Sequence, residues 1–268
     1  MTIASMMSTQ SLTVDGVGSV ELTVTERGEG RPFVILHGGA GPMSVGGFAD
    51  LLAETEHVRV LTPTHPGFAG TPRPEAVNSV RRLAAVYVAW LDEMNLTDVT
   101  VIGNSIGGWI SAEMALLRSP RISGVVIVDG VGIEVPGHPV ADFFSLTMDQ
   151  VADLSYHHPD AFRLDVAKMP PAQQAAMAGN RATLAVYAGT QSMSDPTLRA
   201  RLAPVTVRVL VIWGESDRIA DPDYGRAYAA AIPGGRFKLL TETGHMPQIE
   251  TPQLLLAAIQ DFDRLNAS

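Results

Sequence analysis

The sequence predicts an α/β fold: a mostly parallel central sheet, helices on both faces and a helical cap inserted late in the chain. Three observations carry that prediction. Short apolar runs alternate with stretches of helical period. One of those runs ends in a serine flanked by glycines, directly before a helix-like stretch. The alternation then stops between residues 131 and 203, where no strand pattern stands out. A chain of 268 residues can bury one such domain with an insertion.

Taken in order, Ser11 to Val14 and Ser19 to Thr25 flank Asp15-Gly16, as two strands of a starting hairpin would. Phe33-Val34-Ile35-Leu36 is a short buried strand followed by a glycine-rich loop, and Val58 to Leu61 is another strand. Ser79 to Met94 places Val80, Leu83, Ala84, Tyr87, Trp90, Leu91 and Met94 on one helical face. Val99 to Ile102 is a strand, Trp109 to Leu117 a helix, and Ile122 to Val128 a strand ending at Asp129-Gly130. Helix-like pieces at Ala141 to Leu154 and Ala172 to Gly189 follow, separated by Pro159, Pro170 and Pro171. Strands at Val207 to Trp213 and Arg236 to Leu240 resume the pattern, and a helix from Pro252 to Leu265 closes it. Alternation of this kind implies a parallel sheet covered on both faces. Residues 1–130 and 204–268 therefore form the core domain, and residues 131–203 the helical cap, which is too long for a simple connection.

Composition removes several function classes. The net charge is −9 with no Lys/Arg cluster, which argues against a nucleic-acid partner. The absence of cysteine excludes disulfides, thiolate metal sites and a cysteine nucleophile. No apolar stretch reaches the about 18 residues of a membrane span, and the first residues lack a secretory pattern, so a cytoplasmic location is expected. The adjacent His157-His158 lack companions for a metal site. Neither metal nor cofactor is expected.

The chemistry centres on Gly103-Asn104-Ser105-Ile106-Gly107-Gly108. A serine between strand and helix, with glycine two residues away on each side, is a nucleophile elbow. Side chains at Gly103 and Gly107 would collide as the chain reverses. A serine hydroxyl needs a base. His245 follows the last strand in Thr243-Gly244-His245-Met246, at the end of the sheet where such sites are built. The base needs an acid to orient it, and Asp217, after the Val207 to Trp213 strand, is the favoured candidate over Asp129. An oxyanion hole can draw on the amide of Ile106 and on the loop His37-Gly38-Gly39-Ala40-Gly41-Pro42.

Together, His37-Gly38-Gly39, Gly103 to Gly108, Asp217 and His245 resemble the serine-type α/β-hydrolases over nearly the whole chain. The resemblance implies Ser105 as nucleophile, His245 as base, Asp217 as acid, and Gly39 with Ile106 as oxyanion donors. Within that fold, His37 to Pro42 and Gly103-Asn104-Ser105 resemble the meta-cleavage-product hydrolases, which split a carbon–carbon bond of a vinylogous diketone. Arg181 would correspond to their cap arginine, whereas Met246 stands where that family carries an aromatic residue. The expected activity is hydrolysis of a small or medium carboxylic ester through an acyl-enzyme. C–C hydrolysis and a non-catalytic receptor are the alternatives. Gly38, Trp109, Phe143, Phe144, Met148, Arg181 and Met246 are expected to touch the small-molecule substrate.

Overall fold

The computed structural model describes residues 4–189 and 192–264. The elements are β1 Ser5–Val14, β2 Gly18–Arg27, β3 Pro32–Leu36, α1 Met43–Glu56, β4 Arg59–Pro63, α2 Val80–Glu93, β5 Val99–Asn104, α3 Ile106–Leu116 and β6 Ile122–Val128. There follow α4 Met148–Ser155, α5 Pro171–Ala188, α6 Leu198–Arg201, β7 Arg208–Gly214, α7 Pro222–Ala230, β8 Arg236–Leu240, α8 Pro247–Glu250 and α9 Pro252–Arg264. The sheet order is β1-β2-β4-β3-β5-β6-β7-β8. β1 and β2 run antiparallel to their neighbours, and every pairing from β4 to β8 is parallel. Leu265, where the closing helix was expected to end, lies outside the described residues.

Strand alternation divides the apolar residues between two faces. Val34, Val101, Val125 and Val211 join the layer containing α2, α3 and α7, whereas Ile35, Ile102, Val126 and Ile212 join the layer containing α1 and α9. This is the period-2 consequence of pleating. Burying each such side chain contributes about 1.5–3 kcal/mol, so the two layers hold the strand ends in register.

Two departures from the sequence reading have local causes. The expected helix from Ala141 to Leu154 is broken: a 3-10 turn at Phe143–Ser145 precedes α4, which starts afresh where Thr147 and Gln150 form a capping box. α3 starts at Ile106 rather than Trp109, because Gly107 and Gly108, poor helix formers, are required there for close packing. Asp221 caps α7 by accepting the amides of Asp223 and Tyr224 (both 3.0 Å).

Between β6 and β7 the described residues hold helices and turns, with a single isolated bridge from Gly132 to Ser194. Arg201 of α6 ties the end of this segment to the core through a bidentate pair with buried Glu113 of α3 (2.6 and 2.8 Å). Among the described residues no helix is long and apolar enough to cross a membrane.

Candidate active site

The elbow has the strained geometry its sequence demands. Ser105 sits at φ 56°, ψ −119°, outside the basins that a non-glycine residue prefers. A Cβ on Gly103 would lie 2.1 Å from the Gly107 carbonyl oxygen, and one on Gly107 would lie 2.2 Å from that of Leu36. Only glycine lets β5 and α3 reverse in that space. The turn is held by the Ser105 amide, which donates to Val128 O (3.0 Å), and by the Ser105 carbonyl, which accepts from Gly108 and Val131 (2.9 and 3.2 Å). The start of α3, with its positive dipole end, therefore begins at the serine.

His245 and Asp217 meet beside it. His245 Nδ1 lies 2.8 Å from Asp217 Oδ2, and both residues are buried. Asp217 Oδ1 accepts the amides of Ile219 and Ala220 (2.8 and 3.2 Å), which fixes the carboxylate. With Nδ1 committed to Asp217, Nε2 is the ring nitrogen left for chemistry. Ser105 and His245 line one cavity of about 510 Å³. A more open hollow of about 800 Å³, between Glu134–Val140 and Ser192–Ala200, contains neither.

Residues without a local sequence signal hold the pieces together. Asn104 donates to the His245 carbonyl (2.9 Å) and accepts from Gln248 (3.1 Å), bridging elbow and histidine loop. Asn180 of α5 binds Ala69 N (2.8 Å) and Ala40 O (3.3 Å). Glu250 accepts the amides of His157, His158 and Gly244 (2.8, 3.0 and 2.6 Å). The end of α4 is bonded to both loops: His245 N donates to Ser155 O (2.7 Å) and Arg218 N to Leu154 O (3.0 Å). A Cβ on Gly244 would lie 2.2 Å from Ser155 O, so these segments touch. His157 and His158 lie beyond α4 in a bend, with ring centroids 4.4 Å apart, and His157 Nδ1 is 2.7 Å from Ser216 Oγ.

The glycine-rich loop rests on two buried histidines. His37 Nδ1 donates to Gly38 O (2.8 Å) and its Nε2 accepts from His65 N (3.1 Å). His65 Nε2 donates to His37 O (2.8 Å) while its Nδ1 accepts from the Tyr87 hydroxyl. Each ring uses one donor and one acceptor, which only the neutral form provides. Burial lowers His37 to about 4, and burial followed by the neighbouring His37 lowers His65. An unfolded chain with ordinary histidines, near 6.5, binds more protons than the folded one between about pH 6.5 and 4. Stability is therefore complete above that window and lost as pH falls through it. His37 alone is expected to remove about 2 kcal/mol between pH 7 and 5, with His65 adding in the same direction. Denaturant midpoints at the two pH values check this, and a flat profile would contradict a neutral pair.

Gly39, Phe143, Met148 and Met246 line the cavity, joined by Met43, Met193, Tyr156, Phe162 and Leu184. Gly38 does not line the cavity; a Cβ there would lie 3.2 Å from Ser105 Cβ. Ile106 buries its side chain, leaving its backbone amide as the group at the helix start. With Gly38, four expected contacts are corrected. Trp109 belongs to the core, its ring pressed on Gly132, where a Cβ would lie 2.4 Å from Trp109 Cγ. Phe144 packs on the same core instead of lining the cavity. Arg181 donates through Nη2 to the carbonyls of Phe143, Phe144 and Leu146 (3.0, 2.8 and 3.2 Å), with its guanidinium 4.9 Å from the Phe143 ring centroid. It clamps a turn and does not line the cavity.

A family model described as the alpha/beta hydrolase family matches residues 33–258. The chain belongs to that family. It is 25% identical over 269 residues to a 2-hydroxy-6-oxo-2,4-heptadienoate hydrolase of Pseudomonas putida, covering 91% of this chain and 93% of the relative. Among solved structures it resembles a serine hydrolase involved in carbazole degradation (TM-score 0.72, 21% identity, 97% and 100% of the two chains). It also resembles a thermophilic esterase from Thermogutta terrifontis (TM-score 0.75, 20% identity, 96% and 98%). The fold is thus that of the alpha/beta hydrolases, and the protein is a hydrolase by family.

Proposed function

We propose that this alpha/beta hydrolase cleaves an uncharged, small or medium carboxylic ester through an acyl-enzyme on Ser105. Ser105 Oγ attacks the ester carbonyl as His245 Nε2 takes its proton. Asp217 holds the imidazole in the required tautomer and stabilises the imidazolium. The amides of Gly39 and Ile106 receive the oxyanion. His245 returns the proton to the departing alcohol, then activates the water that releases the acid.

The character of the cavity carries this choice. Apart from His245, Arg163 is its one charged lining residue among those described. That guanidinium, at the exposed rim, is already engaged by Asp149, Asp153 and Asp160. The remaining lining is mostly apolar, with four methionines that adapt to different shapes. A carboxylated substrate would find no unengaged cation there.

The second reading is C–C hydrolysis of a vinylogous diketone. It is supported by the Pseudomonas putida relative and by likeness to meta-cleavage-product hydrolase structures. That chemistry calls for a group to hold a carboxylated dienol, and Arg181, the expected candidate, is committed to three carbonyls. A kinetic panel of p-nitrophenyl esters, lactones and one dienol diketone tests the choice. The esters are expected to exceed the diketone in kcat/KM by about 10²-fold or more, since the diketone's carboxylate finds no cationic partner. The reverse order would install the C–C reading, and binding without turnover would indicate a receptor.

Arg181→Ala separates clamp from ligand. Its loss leaves partly buried carbonyls without a donor, which is expected to lower stability by about 1–2 kcal/mol. kcat/KM on a small neutral ester should stay within a few-fold of the parent. Urea midpoints and ester kinetics on the same variant check both halves. Unchanged stability with a collapse in turnover would return Arg181 to the substrate.

A further inference from the structure

Beside the Asp217–His245 pair lies another buried carboxyl that the proposed chemistry does not use. Asp129 follows β6 and has no exposed surface. Its backbone is held at φ 46°, in the left-handed region where Asp and Asn are among the few tolerated side chains. Oδ1 accepts the amide of Gly214 (2.8 Å), whereas Oδ2 is buried with no donor to pair with. One oxygen of Asp129, one of Asp217 and one ring nitrogen of His245 all lie within 4.8 Å of one another.

Two ionised carboxylates cannot share that dry space without strong repulsion. The groups facing Asp129 make matters worse for its charged form: Asp217 from the loop after β7 and Glu250 from α8 are both acidic, and of these described neighbours His245 alone can become cationic. The proton must therefore settle on one of the pair, and the surroundings choose which. Asp217 accepts two backbone amides and the imidazole N–H, all of which favour its charged form. Asp129 accepts one amide only.

We propose that Asp129 is an un-ionised carboxylic acid whose O–H donates to the Asp217 carboxylate, making it a positioning residue for the Asp217–His245 pair. This rests on the triad reading above. A proton on Asp129 turns an unpaired buried acceptor into a donor, in a carboxyl one of whose oxygens lies within 4.8 Å of an Asp217 oxygen. Burial, then the adjacent Asp217, push the Asp129 carboxyl well above the usual carboxylate range, in agreement with that geometry. The extra donor fixes Asp217 more firmly and spreads its charge, so that it stabilises the imidazolium without taking the Nδ1 proton.

The test compares Asp129→Asn and Asp129→Gly, both of which suit a positive φ, with the parent on a small p-nitrophenyl ester. Asn keeps a neutral donor, so the acidic limb of the pH–rate profile is expected to stay within about 0.2 units. Gly removes the donor. It is expected to lower kcat about tenfold and to raise the limb by about half a unit, because an unshared Asp217 charge makes His245 more basic. A second readout needs no turnover. Infrared spectra of the resting protein near neutral pH should show the carbonyl stretch of a buried protonated carboxyl, lost in Asp129→Asn but kept in Ser105→Ala. If Asp129 were ionised, its removal in Asp129→Asn would move the limb downward. That shift, or the absence of the band in the parent, would overturn the proposal. Failure of Ser105 as nucleophile would leave the band in place, so the two failures are distinguishable.

Discussion

Ser105→Ala is expected to lower kcat by about 10⁴–10⁶, because removing a triad nucleophile leaves only binding and oxyanion stabilisation. The fold should survive the change. The structural work of residue 105 is done by its backbone, through bonds to Val128, Gly108 and Val131 that alanine preserves. The strained φ of 56° is equally available to serine and alanine. A serine-directed phosphonate should label the parent at Ser105 and leave the variant unlabelled. Near-parent turnover by a purified, folded variant would remove Ser105 from the mechanism.

Asp217→Asn is the second large effect, with an expected loss of about 10⁴ in kcat. The direction follows from the hydrogen bonds. The amides of Ile219 and Ala220 both require an acceptor at Oδ1, so the asparagine oxygen takes that position. Its NH₂ then faces His245 Nδ1, which must accept instead of donate. The imidazole proton moves to Nε2, and the ring can no longer take a proton from Ser105. Steady-state kinetics on a p-nitrophenyl ester, beside circular dichroism to verify folding, measure this. A loss under tenfold would mean that another group orients the histidine.

The sheet and the three proposed catalytic residues were legible because their signals are local. Apolar runs of four to seven residues marked β3, β5, β6 and β7, and the elbow glycines are demanded by contacts within a few residues of Ser105 and with the adjacent strand. α1 was missed because Gly46-Gly47 interrupts its first half, although Val45, Phe48, Ala49, Leu52 and Ala53 form a buried helical face. The substrate-facing residues were less readable. Phe143 and Phe144 are adjacent and chemically identical, and only the break before α4 decides which one reaches the cavity. Arg181 carries no mark that distinguishes a carbonyl clamp from an anion site. Asn180 and Gln248 act across more than 100 residues, and Glu250 reaches His157 across 93, and a one-dimensional pattern does not encode such contacts.

The bonds from α4 to the histidine and acid loops have a kinetic consequence. A lid that swings away as a rigid body would tear His245 N from Ser155 O and Arg218 N from Leu154 O, dismantling the catalytic array each time it opened. Substrate is therefore expected to enter with α4 docked. Side chains at the mouth, such as exposed Met43, are then expected to give way instead of a hinged domain. Admission then becomes a matter of rotamer exchange, faster than domain motion, and product escape is gated by the width of a doorway and not by the lifting of a roof.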